Sequence, residues 1–163
     1  MIFVTVGTQG SFDRMIEAVD AWAKTRGRKD VFAQIGPGAE PQHLQWARDL
    51  SPDMFQQRLE EADAVVAHAG MGTILSALSL GKPVLVMPRL ARLGEHRNEH
   101  QSDTTERFLA MGRIAAVWGS DEMAPALDAL GAQGGQERIS RHASSELLGR
   151  LRSFLDQSLP PAE

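Results

Sequence analysis

Cysteine is absent from this 163-residue chain, which excludes disulfides, thiolate metal sites and cysteine nucleophiles and fits a reducing compartment. Long apolar runs are absent as well: no stretch approaches the roughly 18–20 consecutive apolar residues needed to cross a bilayer. The chain opens directly on Ile2-Phe3-Val4, without a basic flank or signal-peptide core. There is no basic run. The densest cluster, Lys24, Arg26, Arg28 and Lys29, reads as the solvated end of a helix. With a formal charge of −4 and a pI near 5.7, no basic surface is expected to gather nucleic-acid phosphates or anionic lipid. Aromatic residues make up only 6% of the chain, but hydrophobic residues make up 42%. At this length that is enough for one core and too little for two domains. The expectation is a single cytoplasmic domain over residues 1–163.

What is present is an alternation of short β-branched runs with helical patterns, the mark of successive βα units in a parallel sheet. Strands are expected at residues 2–6, 31–35, 64–67, 84–87 and 114–117, and the segment 42–50 is read as a short strand against the alternative of a helix. Phe12, Met15, Ile16 and Val19 recur at helical spacing. Ser51-Pro52-Asp53 opens a helix to about Glu61, with proline suited to the first helical position. Further helices are expected at 73–80, stopped by Gly81 and Pro83, and at 99–111. Residues 119–163 read as a helical C-terminal segment. Within it Leu147, Leu148, Leu151, Phe154 and Leu155 form an apolar stripe for packing on this domain or on a partner. The fold class is therefore α/β, a single Rossmann-like domain with a parallel sheet of about six strands flanked by helices.

In such a sheet ligands bind at the C-terminal ends of strands, where helix N-termini offer free N–H groups to phosphate. Three loops qualify. Gly7-Thr8-Gln9-Gly10-Ser11 either approaches a ligand through its glycines and polar side chains or is a tight turn in which Ser11 caps the following helix. His68-Ala69-Gly70-Met71-Gly72-Thr73 leaves a buried strand for a helix; its two glycines permit exposed amides, and Thr73 can cap the helix or bond a phosphate oxygen. It departs from the dinucleotide fingerprint because Leu75 stands where the third glycine would fall, which disfavours a dinucleotide oxidoreductase. Residues 88–101 form a long polar loop whose amide, imidazole and carboxylate groups suit sugar hydroxyls, the alternative being a solvated loop. That loop also contains His96-Arg97-Asn98-Glu99-His100, which matches the His-x-x-Glu-His signature of inverted zinc peptidases. A peptidase would need a further ligand and a larger cleft, and neither is indicated.

Taken in order, Val4-Thr5-Val6-Gly7-Thr8-Gln9, His68-Ala69-Gly70-Met71-Gly72-Thr73, Gly81-Lys82-Pro83-Val84-Leu85-Val86-Met87-Pro88 and Glu95-His96-Arg97-Asn98-Glu99-His100-Gln101 resemble the C-terminal domain of glycosyltransferase family 28. This is the donor-binding half of a GT-B enzyme, and the resemblance covers roughly residues 1 to 118. It is strongest to stand-alone members, the dolichol-pathway UDP-N-acetylglucosamine transferase catalytic subunits and bacterial exopolysaccharide subunits of glucuronosyltransferase type. The resemblance implies an inverting hexosyltransferase that takes a UDP-sugar. Gly7, Thr8 and Gln9 would lie against the diphosphate, with Gly70, Met71, Gly72 and Thr73 supplying amides or lining the nucleotide pocket, while Asn98, His100 and Gln101 would face the sugar. His68 and His96 are the candidate catalytic bases in this chain. No metal or other cofactor is implied, since amides and helix dipoles would stabilise the departing diphosphate. Many relatives hold the ribose with a glutamate where this chain has Ser76. Because only one of the two GT-B halves is present, the resemblance further implies a membrane-associated partner subunit at the inner face of the membrane and a polyprenyl-diphosphate-linked saccharide acceptor. A non-catalytic nucleotide-sugar-binding or regulatory subunit is the alternative.

Overall fold

The structure, a computed structural model, describes residues 1–130. Six strands, β1 (Ile2–Thr5), β2 (Val31–Gln34), β3 (Gln45–Ala47), β4 (Ala64–His68), β5 (Val84–Met87) and β6 (Ala115–Ala116), form one sheet in the order β3-β2-β1-β4-β5-β6. Every neighbouring pair is parallel, with Ile2 in register with Val31 on one side and Ala64 on the other. The helices are α1 (Asp13–Arg26), α2 (Pro52–Glu61), α3 (Met71–Ser79), α4 (His100–Ala110) and α5 (Met123–Leu130).

The two-residue period of a strand sorts the apolar runs onto two faces. Ile2, Val4, Val31, Ala33, Val66, Leu85 and Met87 point to one side, where α1 supplies Met15, Ile16, Val19 and Trp22 and α5 supplies Met123, Leu127 and Leu130. Phe3, Phe32, Val65, Val84 and Val86 point to the other, against Leu59 of α2 and Ile74, Ala77 and Leu78 of α3. Burial on both faces is why the central strands read as nearly unbroken apolar runs. Each large side chain so buried contributes about 1.5–3 kcal/mol.

Local signals set the helix ends. Helix α1 stops at Gly27, whose φ of 63° is the left-handed conformation glycine adopts without strain. Helix α2 begins as its sequence suggests, with Pro52 in the first turn and the Ser51 hydroxyl accepting from the Met54 N–H at 3.3 Å. Ser51→Ala should therefore lower stability by about 1 kcal/mol, seen as a lower urea midpoint with an unchanged slope.

The structure departs from the sequence expectations at four points. Helix α3 begins two residues early, with Gly70 as its N-cap, so Thr73 lies inside the first turn and caps nothing. Gly72 fits in that turn because a helix interior tolerates glycine at modest cost. Ser11 is not a cap either: the residue preceding α1 is Phe12, which has no side-chain cap bond. Strand β6 shrinks to two residues at the sheet edge, and α4 starts at His100. The basic cluster lies, as expected, at the solvated C-terminal end of α1, where Arg26 meets Asp128 at 2.5 Å and Arg28 meets Asp30 at 2.7 Å, the first pair tying α1 to α5. The stripe from Leu147 to Leu155 lies outside the described residues. Among the described residues no helix is long and apolar enough to cross a membrane.

Candidate functional site

The strand order reverses direction between β1 and β4, so the loops leaving these neighbours run to opposite faces of the sheet and open a crevice between them. The crevice holds two clefts. One, of about 440 Å³, runs from Gly7 and Thr8 past Thr73 to Leu50, Pro52 and Phe55, with Asp49 at its border. The other, of about 380 Å³, is polar and lined by Gln9, Met71, Arg89, His96, His100 and Gln101 among others. Thr8, His68 and Gly70 belong to both.

His68, the last residue of β4, is the partition between the clefts. A methyl group built on Gly7 would collide with its Cε1 and lie 2.8 Å from its Nε2; one built on Gly70 would collide with Nε2 and lie 2.7 Å from Cε1. The imidazole is thus sandwiched between two glycines, and side-chain-free flanks are what admit it. Its Nδ1 is buried and has no hydrogen-bond partner among the described residues. Burial, reinforced by the nearby Arg89 guanidinium, pushes the ring's pKa down to about 4, so at neutral pH it is an uncharged imidazole.

This shift has a defined sign in stability. An unfolded histidine titrates near 6.5, so between that value and about 4 the unfolded chain binds a proton that the folded chain refuses. The stability His68 confers is present above pH 6.5 and is lost as pH falls toward 4. Between pH 7 and pH 5 the loss should be about 2 kcal/mol, and a His68→Gln variant should show a correspondingly flatter dependence in urea titrations at the two pH values.

Around this partition the backbone supplies unpaired donors. Among the described residues, no protein acceptor meets the N–H groups of Thr8, Gln9, Gly10 and Ser11, or those of Met71, Gly72 and Thr73 in the first turn of α3. The second set is the ordinary orphan donors of a helix N-terminus, which carry a partial positive charge. A methyl built on Gly72 would touch nothing within 4 Å, so this turn faces open space. The Gly7 peptide is anchored from within: its N–H donates to the Thr5 hydroxyl at 3.2 Å and its carbonyl accepts from Gln34 Nε2 at 3.1 Å. Thr5 and Gln34 are bonded to each other at 2.7 Å in the core.

The long loop after β5 is held by one ion pair and its hydrogen bonds. Arg14 of α1 forms a fork with Glu95, Nε to Oε1 at 2.7 Å and Nη2 to Oε2 at 2.9 Å, and also donates to the carbonyls of Trp118 and Pro88. Glu95 in turn accepts from the Leu90 N–H at 2.9 Å. Gln101 is buried, its Oε1 accepting from the Arg89 N–H at 3.1 Å, though it still borders the polar cleft. His96 and His100 lie edge to face, 5.0 Å between ring centres. Asn98 is exposed and borders neither cleft; its carbonyl lies 3.2 Å from His96 Nδ1.

The structure therefore brings Gly7, Thr8, Gln9, His68, Gly70, Met71, Gly72, Thr73, His96, His100 and Gln101 around one crevice and leaves Asn98 outside its walls. It does not form the geometry the peptidase signature needs. His96 precedes α4 in a loop and Glu99 is the N-cap, so the two histidines do not share a helix face. Among the described residues no three His, Asp or Glu side chains are grouped to hold a metal ion. Sequence reasoning missed Arg14, Arg89, Thr5 and Gln34, whose partners lie tens of residues away.

The family model described as glycosyltransferase family 28 C-terminal domain matches residues 1–136. The human UDP-N-acetylglucosamine transferase subunit ALG13 is 30% identical over 109 residues, which are 60% of this chain and 10% of that protein. This chain thus spans about a tenth of the length of that relative. The solution structure of ALG13 superposes with a TM-score of 0.61 at 18% identity, covering 92% of this chain and 93% of the other. A kitacinnamycin glycosyltransferase superposes with a TM-score of 0.62 at 20% identity over 81% of this chain and 35% of that one. These structural likenesses speak to the fold.

Proposed function

The chain belongs to the glycosyltransferase family 28 C-terminal domains, and from that premise we propose that it is the donor-binding subunit of an inverting UDP-sugar-dependent hexosyltransferase. The observation that carries this reading is the double row of unpaired N–H groups, Thr8–Ser11 and Met71–Thr73, on either side of His68. Such donors, one set at a helix N-terminus, suit a diphosphate. The cleft walled by Leu50, Pro52 and Phe55 has the apolar character a pyrimidine base requires, and the polar cleft lined by His96, His100 and Gln101 suits hexose hydroxyls. With Ser76 in place of a carboxylate, Asp49 is the acidic side chain bordering the base cleft and the candidate partner for ribose hydroxyls.

In the transfer an acceptor hydroxyl forms the new bond to the anomeric carbon from the face opposite the leaving group. The carbon–oxygen bond to the diphosphate breaks with its electron pair, and the N–H rows offset the charge that develops. The hydroxyl proton passes to a base. His68 is a weak one, because an imidazole whose conjugate acid has a pKa of about 4 has little driving force for proton transfer; it serves as a neutral wall beside the phosphates. His96, on the polar cleft, is the better placed of the two candidates, with a residue of the partner subunit as the other source. Met71, which lines the polar cleft, is exposed, as are Leu75 farther along α3, Leu93 in the loop after β5 and Met54 in the first turn of α2. These apolar groups suit docking of a membrane-associated acceptor-binding subunit. The acceptor is a polyprenyl-diphosphate-linked saccharide for glycan or exopolysaccharide synthesis, and the sugar is N-acetylglucosaminyl, as in the relative's name, or glucuronosyl.

The test is twofold. A UDP-sugar at about a hundredfold its Kd should raise stability by about 2.7 kcal/mol, the cognate sugar standing out in a thermal-shift screen, whereas NAD should do nothing. Transfer to a lipid-linked acceptor should then appear only when the partner is co-expressed. No shift with any UDP-sugar would refute donor binding; binding without turnover by the reconstituted pair would leave a regulatory subunit.

A further inference from the structure

Arg89, two residues past β5, is only 2% exposed. Its guanidinium donates to the carbonyl of Ser11, to that of Val6 at 3.1 Å and to that of Gly10 at 3.2 Å. It also sits 4.6 Å from the centre of the Phe12 ring. Every one of these partners lies in the loop between β1 and α1, and every acceptor is a neutral carbonyl. Among the described residues no carboxylate touches it, although Glu95 and Asp13 lie near enough to favour its charge. A buried cation without a direct ion pair is unfavourable on its own account, so its presence calls for a compensating role. No single-point charge could replace it, because only the planar fork of arginine reaches three acceptors at once.

The effect on the loop is a sorting of its polarity. Carbonyls of Val6, Gly10 and Ser11 are drawn inward by Arg89, and that of Gly7 by Gln34. The N–H groups of Thr8 to Ser11 are the ones left without a protein acceptor among the described residues. Arg89 also borders the polar cleft, and its buried Nε has no hydrogen-bond partner among the described residues. Through its own N–H it is bonded to Gln101 of α4. One buried side chain thus joins the β1 loop to the β5 loop beneath the crevice.

We propose that Arg89 is the positioning residue of the anion site, gathering the carbonyls of Val6, Gly10 and Ser11 so that the N–H groups of this loop stay available to a diphosphate. This rests on the donor-site reading given above. It predicts a division between ligands, because uridine alone would occupy the apolar cleft, which Arg89 does not line, whereas UDP would also need the loop.

The experiment is a calorimetric and amide-NMR titration of the isolated chain with UDP and with uridine, in wild type, Arg89→Met and Arg89→Lys. Folded Arg89→Met should bind UDP at least tenfold more weakly with uridine affinity unchanged, and the amide signals of residues 7–11 should shift or broaden while those of α2 stay in place. Arg89→Lys, which keeps the charge and loses the fork, should recover part of the UDP affinity and remains the deciding variant if Arg89→Met does not fold. Unchanged UDP affinity in either folded variant, or equal losses for UDP and uridine, would overturn the role of Arg89. A wild-type chain that binds neither ligand would instead overturn the donor-site reading beneath it.

Discussion

Gly70→Ala should abolish UDP-sugar binding and remove about 3 kcal/mol of stability, the upper range for forcing extra atoms into a packed site. The backbone gives no reason for this: Gly70 has φ of −82°, which any residue adopts. The whole effect comes from the His68 ring, which an added methyl would strike at Nε2 while lying 2.7 Å from Cε1. A second substitution should therefore rescue the first. In a double-mutant cycle Gly70→Ala with His68→Ala should be markedly more stable than the sum of the two losses, since the singles share one contact. Gly7 supplies an internal control. It meets the same ring but also has φ of +75°, a conformation that costs a side-chain-bearing residue about 1–2 kcal/mol. Rescue of Gly7→Ala by His68→Ala should stop short by about that amount. Additive urea-denaturation energies in the Gly70 cycle would show that the glycine matters for another reason.

Glu95→Ala is expected to cost about 3 kcal/mol, the scale on which breaking a largely buried ion pair leaves a stranded charge. The stranded group is Arg14, whose side chain is 18% exposed against 15% for Glu95. Burial by itself would raise the Glu95 pKa, but hydrogen bonds from Arg14 and the Leu90 N–H outweigh it, and the carboxyl is held below its ordinary value. Its contribution is therefore present near neutral pH and is lost as acid protonates the carboxylate. Arg14→Ala should cost less than the sum rule predicts when combined with Glu95→Ala, because each deletion already ends the shared fork. Functionally, the loop carrying His96 loses its anchor, so transfer by the reconstituted pair should fall further than UDP affinity does. Equal losses in the two assays would place the damage in the fold as a whole.

Much of this architecture was legible because burial on both faces of a parallel sheet leaves a local trace. The runs at residues 2–6, 31–35, 64–67 and 84–87 are apolar because helices cover both sides, and that is visible without a partner in view. Edge strands leave less: Gln45–Ala47 is half-exposed and polar at one end, and Ala115–Ala116 has no β-branched residue at all. The loops around the crevice were legible as candidates, since glycines between a strand and a helix are uncommon without cause. The cause at Gly7 and Gly70 was not, because the demand comes from an imidazole at position 68 that only the fold interposes. Arg14 and Arg89 were opaque for the same reason: their acceptors lie 74 to 104 residues away in sequence, and a surface arginine and a buried one look alike in a string of letters.

The place of β1 in the sheet has one more consequence. Strands β1, β2 and β3 come from one continuous stretch of chain and β4, β5 and β6 from the next, and the pairing of β1 with β4 is the seam between them. Because the crevice straddles that seam, neither half can present it alone, and nonlocal pairings of this kind are slow to form. Recovery of UDP affinity during refolding should therefore trail the recovery of helical signal, making nucleotide capture a reporter of the moment the two half-sheets join.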